Sequence, residues 1–222
     1  MRRRSLSLVA MAVAAIGLVA CSGMSRAPQS KMSFFVTSAN PGKGADFGGL
    51  AGADRYCQSL AASAGAGGRS WRAYLSSSAM AGSPAVNARD RIGNGPWFNA
   101  KGEQIASSVD DLHGTGNKLS KQTALTEKGQ IVSGGGDAVN LHDILTGSST
   151  EGRAVSSDKD TTCGNWTKSG DGSAIVGHHD RRGLDDSPPA KSWNSSHATQ
   201  GCSMDALKRT GGGGLLYCFA QN

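Results

Sequence analysis

"GGLAGADRYCQSLAASAGAGGRSWRAYLSSS", Gly48 to Ser78, is the stretch that decides the fold. A glycine turn leads into a run where Ala53, Cys57, Leu60 and Ala61 recur at i, i+4, i+7 and i+8. That spacing lays apolar side chains along one face of a helix. Asp54 falls in its first turn, and Gly65 supplies a C-terminal stop. The pattern predicts a helix over Gly52–Gly65. Beyond it Trp71, Ala73 and Leu75 alternate, which predicts a half-buried strand over Ser70–Ser77. A helix passing at once into a strand, with a cysteine on the apolar face, implies a mixed α+β domain.

Further strand signals lie at both ends. "SFFVTSA", Ser33 to Ala39, combines aromatic and β-branched residues and reads as an opening strand. "GGGGLLYCFA", Gly211 to Ala220, reads as an apolar closing strand that carries Cys218. Its glycines are not a phosphate loop, because no Gly-Lys-Ser/Thr follows them. Between these ends the chain is rich in turns. "NGPWFNAKGEQIA" holds turn signals at Asn94-Gly95-Pro96 and Lys101-Gly102, and "ALTEKGQIVSG" suggests a hairpin turning at Lys128-Gly129. "CGNWTK" and "SAIVG" are short strand candidates on either side of Ser169–Gly172. With 32 glycines and few aromatics, the expectation is a loop-rich domain with a modest core, for which cross-linking is useful.

The N-terminus reads as an export signal. "MRRR" precedes an apolar run of about fifteen residues, too short to span a bilayer comfortably. The run ends in "LVAC", which resembles the lipobox of bacterial lipoproteins. That resemblance implies a signal over residues 1–20, lipidation of Cys21, a tether over 21–32 and a domain over 33–222. The membrane is then a partner through the lipid. Ser22 after the cysteine points to the outer membrane, with the domain facing the periplasm or the cell surface. Without Arg2, Arg3 and Arg4 the formal charge falls from +6 to +3. No basic cluster interleaved with aromatics remains, so nucleic acid is not expected as a partner. Cys57, Cys163, Cys202 and Cys218 are left, an even number that reads as two disulfides with three connectivities open. A cysteine zinc site would want closely spaced pairs, and the chain has none.

The order of these features resembles the endostatin domain of collagens and, more broadly, the C-type-lectin-like fold. The carriers are the Gly48–Ser78 stretch, "TCGNWTKSGDGSAIVG" around the second domain cysteine, and "GCSMDALKRTGGGGLLYCFAQN" at the close. The chain is also similar to uncharacterised bacterial lipoproteins with "GHHD", "WNSSH" and "GLxYCF" elements. The resemblance implies an α+β, loop-rich domain with short antiparallel strands, one or two helices and two disulfides. It further implies nested pairing, Cys57 with Cys218 and Cys163 with Cys202.

Candidate site residues cluster late in the chain. "SAIVGHHDRR", Ser173 to Arg182, places His178, His179 and Asp180 at the exit of a short strand. Adjacent histidines on a strand face opposite ways, so both do not easily ligate one ion. Metal partners would have to come from Asp180, Asp185, Asp186, His197 or the distant His142-Asp143 pair, and a divalent metal stays an alternative to a structural loop with His179 exposed. "SWNSSH" supplies Trp193, Asn194 and His197. In calcium-dependent lectins of the resembled fold, Trp-Asn-Asp helps hold calcium and sugar. Here Ser195 replaces the Asp, so that role does not carry over; Trp193 either packs under the long loop or stacks on a sugar. No Gly-x-Ser-x-Gly elbow occurs, and no enzyme is expected, a metal-dependent hydrolase being the remote alternative. Arg89, Asp90 and Arg91 read as a solvated charged turn. The expected function is a lipid-anchored envelope binding module for a carbohydrate or protein ligand. The alternative is a structural or adhesive component.

Overall fold

The computed structural model describes residues 30–80 and 82–221. The expected signal over 1–20, the lipidated Cys21 and most of the tether lie outside them. The described residues form an α+β structure whose centre is the last strand. The elements, in order, are β1 (Phe34–Val36), α1 (Gly49–Ser63), β2 (Ser70–Ala73), β3 (Trp97–Phe98) and β4 (Gln104–Ala106). There follow α2 (Val109–His113), β5 (Asp143–Leu145), α3 (Cys163–Trp166), β6 (Ile175–His178), β7 (His197–Ala198), α4 (Met204–Thr210) and β8 (Gly212–Gln221). The four helices exceed the one or two expected, because α2, α3 and α4 are too short for a sequence period to reveal.

The main sheet runs β1-β8-β5-β6-β7, with β2 also paired to β8. Its pairings are antiparallel except β5 with β8, which is parallel. The expectation of antiparallel strands therefore fails at this one pair. Residues Gly212 to Ala220 of β8 are all buried, so the strand is covered on both faces. Alternation then divides its side chains. Leu216, Cys218 and Ala220 pack with Ala53, Cys57 and Ala61 of α1 and with Phe35 and Trp71. Leu215, Tyr217 and Phe219 pack on the other face with Phe34, Tyr74, Trp97, Ile105, Leu112 and Trp193. The apolar face of α1 is thus the one its sequence spacing marks, with Leu60 at the margin.

Disulfides join Cys57 to Cys218 and Cys163 to Cys202, the nested arrangement. The first spans 161 residues and ties α1 to β8. The second spans 39 and closes the segment that contains β6 and β7. "CGNW" is not a strand. It is the short turn α3, and its residues Cys163, Gly164, Asn165 and Trp166 all have left-handed φ, from 49° to 67°. L-residues resist that conformation, so neighbours must hold it. Asp160 accepts the Gly164 N–H, Asn165 exchanges hydrogen bonds with the Ser78 backbone, and Trp166 Nε1 donates to Ser76 O.

The charged trio is not a solvated turn throughout. Arg91 reaches Asp54 with Nη2 at 2.7 and 2.8 Å, and Arg72 reaches the same carboxylate at 2.7 Å. The Ala73 N–H donates to Asp54 Oδ1 as well, at 3.0 Å. Asp54 is 7% exposed, so it is the buried hub that joins α1, β2 and the Arg91 turn. Arg91 is buried at its guanidinium end while Arg72 stays half-exposed, so removing Asp54 leaves the Arg91 charge uncompensated, at a cost of about 3–5 kcal/mol. Asp54→Ala is therefore expected to lower unfolding stability by about 3 kcal/mol or more in denaturant titration. A change under about 1 kcal/mol, the size of a surface pair, would refute the hub.

Candidate functional site

Three adjacent strands lay out the site. In the β5–β6 register Asp143 stands directly opposite His178, and in the β6–β7 register Val176 stands opposite His197. Directly paired residues share a face, and diagonal neighbours two positions apart share it too. Asp143, His178 and His197 therefore converge on one side of the sheet end, joined by His142 from the residue before β5.

The convergence is close. Asp143 Oδ1 lies 3.3 Å from His142 Nε2, 3.2 Å from His178 Nε2 and 3.5 Å from His197 Nε2. The Nε2 atoms of His178 and His197 are 2.9 Å apart. The His142 and His178 rings stack with centroids 4.1 Å apart and planes 10° from parallel. Asp143, His178 and His142 are buried, and the His197 side chain is 39% exposed. Neither carboxylate oxygen of Asp143 has an aligned hydrogen-bond partner among the described residues. Its contacts with the rings are therefore electrostatic. Burial acts to raise the Asp143 carboxyl, but the His178 and His197 rings outweigh it and hold the group below the usual carboxylate range. Asp143 in turn raises His197 against the opposing effect of burial. His142, Asp143 and His178 offer donor atoms within 4.8 Å of one another, a set that could hold a metal ion.

A further layer orients the rings. The backbone oxygen of Ala190 accepts from His178 Nδ1 at 2.7 Å, and Asp180 Oδ1 lies 3.4 Å from His142 Nδ1. Asp180 is itself fixed by the Gly135 and Arg182 N–H groups. Burial would raise its carboxyl, but His142 and these N–H groups hold it well below the carboxylate range.

The site opens into a cavity of about 500 Å³. Its floor is His142, His178 and His197; Gly135 and Gly136 form one wall, and Arg182 to Ala190 contribute another. The glycine run at the head of β8 lets the chain pass close beneath. A Cβ on Gly212 would come within 2.8 Å of the Asp143 backbone oxygen and Cβ, and one on Gly211 within 3.2 Å of His142 Nε2. Those glycines permit the close approach of β5 to β8 on which the site depends.

Not every residue marked in the sequence reaches this place. His178 and His197 do. His142 and Asp143, named only as a distant possible partner pair, stand at its centre. Asp180 supports His142 from behind. His179 points the other way and is fully buried rather than exposed, its Nε2 3.2 Å from Ser133 O. Trp193 and Asn194 are correspondingly not ligand contacts. Trp193 is 4% exposed and packs between Tyr74 and Tyr217. Asn194 is 1% exposed and donates to Tyr74 Oη, Ser149 O and Thr150 O. Gly177 explains their burial: a Cβ there would meet Trp193 O at 1.9 Å, so the "WNSS" segment crosses β6 in direct backbone contact. Asp185 lines the cavity, and Asp186 pairs with Lys191 away from the histidines.

Neither family models nor curated proteins give a match to this chain. No helix among the described residues is long and apolar enough to cross a membrane.

Beneath Trp193 lies a second histidine arrangement. His113 Nδ1 bonds Val109 O at 2.7 Å, which places its proton there and leaves Nε2 to accept from Tyr74 Oη at 2.7 Å. Burial lowers the His113 pKa, the Val109 carbonyl partly opposing it; Arg89, Asp110 and Glu151 stand around the ring. A histidine with a lowered folded pKa contributes stability that is present above its unfolded value and lost as pH falls toward the folded one. Acidification from about pH 7 to pH 5, across the unperturbed histidine range, is expected to lower the thermal transition. His113→Gln should flatten that dependence. An unchanged slope would show that His113 does not couple to folding.

Proposed function

We propose that the chain is an exported binding domain of the C-type-lectin-like, endostatin-like kind, held at the bacterial envelope through lipid on Cys21. It captures a carbohydrate or a segment of an envelope protein in the cavity above His178. The observation that carries this reading is that cavity: loop-built, open, and set on a sheet clamped by two disulfides. Binding residues commonly sit on loops positioned by a rigid scaffold. The lining mixes hydroxyls and amide groups from Asn140, Ser187, Ser196 and Thr210 with the charge of Arg182 and the apolar Leu184 and Pro189. Such a surface suits a polar ligand read by several hydrogen bonds. Because Trp193 is buried, a sugar would be held by these polar groups and not by stacking on that ring.

The test is a screen of the purified protein against glycans and envelope protein fragments. Any ligand found is then titrated against Arg182→Ala, Leu184→Ala and Ser187→Ala. Arg182 and Leu184 are exposed and Ser187 is half-buried at the rim, so each should be replaceable with little change in thermal transition. At least one is expected to weaken binding by about tenfold or more, the behaviour of a residue central to an interface. Lys43→Ala, in a separate groove beside α1, should have no effect. A ligand bound equally by all three rim variants, or a screen with no ligand, would overturn the proposal.

A further inference from the structure

We propose that His142, Asp143, His178 and His197 form a transition-metal site of the zinc class at the floor of the cavity. The first argument is spacing. Donors about 2.0–2.1 Å from a tetrahedral zinc ion stand about 3.3–3.4 Å from one another. The nearest approaches here are 2.9, 3.2, 3.3 and 3.5 Å, all among imidazole Nε2 atoms and Asp143 Oδ1. His142, Asp143 and His178 are the inner set. His197, the most exposed, is the fourth donor, and its exposure leaves the ring room to turn toward the ion.

The second argument is proton placement. Two of the rings have a hydrogen-bond acceptor at Nδ1, Ala190 O at 2.7 Å for His178 and Ala198 O at 3.3 Å for His197, while Asp180 Oδ1 stands 3.4 Å from His142 Nδ1 without an aligned hydrogen bond. An acceptor at Nδ1 draws the ring proton there and leaves Nε2 as a lone pair. The His178 Nε2 lone pair then faces Asp143 Oδ1 at 3.2 Å and shares a single hydrogen bond with His197 Nε2, and its repulsion with the carboxylate is one that a bound cation converts into attraction. Fixing the ligating nitrogen through a carbonyl or carboxylate on the other ring nitrogen is the usual outer layer of a histidine metal site.

The third argument is that the buried carboxylate is unsatisfied. Both Asp143 oxygens lack an aligned donor, in a structure where buried carboxylates otherwise find one. A buried charged acceptor without donors is costly, and an ion bound at Oδ1 removes that cost. Three imidazoles with one carboxylate favour zinc, copper or nickel over calcium or magnesium, which prefer all-oxygen shells. Metal uptake needs no other ligand. Only the corollary that a captured ligand meets the ion rests on the binding proposal above.

The probe is the metal alone. The purified full chain, free of any polyhistidine tag, is stripped with chelator and titrated with Zn²⁺, then with Co²⁺ as a spectroscopic substitute. One equivalent of zinc is expected per chain, with a rise in thermal transition on loading. Asp143→Asn and His178→Gln should weaken uptake by about 100-fold or more, and Asp180→Asn by about 10–100-fold. His197→Ala, at the exposed edge, should keep the fold and change the visible Co²⁺ bands, which report the donor set directly. A folded, stripped wild-type chain that takes up no zinc at micromolar concentration overturns the proposal. So does a Co²⁺ spectrum unaltered by His197→Ala, or ring-nitrogen NMR showing protons on the His142 or His178 Nε2 atoms at neutral pH. Ligand capture that persists in chelator while zinc uptake fails removes the metal site and leaves the binding domain. Zinc uptake without any captured ligand does the reverse.

Discussion

Everything in this structure is built against β8. A strand buried on both faces must supply apolar side chains to two cores, and "GGLLYCFA" does so by alternation: Leu216, Cys218 and Ala220 to one side, Leu215, Tyr217 and Phe219 to the other. Because it is the C-terminal strand, its contacts with β1 and with α1 are among the most distant in sequence. The Cys57–Cys218 bridge lies at that junction and limits the entropy of the unfolded chain across 161 residues. In a domain with this much loop, that restraint adds to what the two apolar clusters on either face of β8 supply.

The same strand positions the site. β5 pairs with β8 in parallel, with Asp143 opposite Gly212 and Leu145 opposite Leu216. The side-chain-free residues Gly211 and Gly212 let Asp143 and His142 lie against the backbone of β8 where any Cβ would push them away. β6 and β7 then add His178 and His197 by ordinary antiparallel register. Moving β5 by one residue would turn Asp143 to the opposite face and dismantle the cluster. The site is therefore a consequence of strand register and not of a local motif.

That dependence explains how far the sequence could be read. The helix around Cys57, the strand around Trp71 and the closing strand were legible because each carries its period within a few residues. The hairpin turning at Lys101-Gly102 was legible from its turn chemistry. β5 was not, since "DIL" is a three-residue strand whose identity comes from a parallel partner about seventy residues away. With β5 hidden, His142 and Asp143 read as a stray pair, although they stand at the centre of the site. Trp193 and Asn194 misled for the opposite reason. They look like ligand contacts as a motif, yet Gly177 allows their backbone to cross β6 so closely that both side chains turn into the core. Arg91 misled likewise, since nothing local shows that its partner is Asp54 on a helix thirty-seven residues earlier.

Two buried aspartates make the distinction between architecture and chemistry. Asp54 is surrounded by two guanidinium groups and a backbone N–H, all between 2.7 and 3.0 Å, so its charge is compensated by aligned donors. That is what a structural carboxylate requires when it leaves water. Asp143 is more deeply buried, at 2% exposure, and has no aligned donor on either oxygen. Its neighbours are imidazole nitrogens, and the His178 ring is held by a hydrogen bond from its other nitrogen to Ala190 O. A cluster selected for stability alone would be better replaced by apolar residues continuing Leu145 and Val176, the next pair along the same face. Such an unsatisfied group, packed against the histidines that line an open cavity, makes sense as a place prepared for something positive.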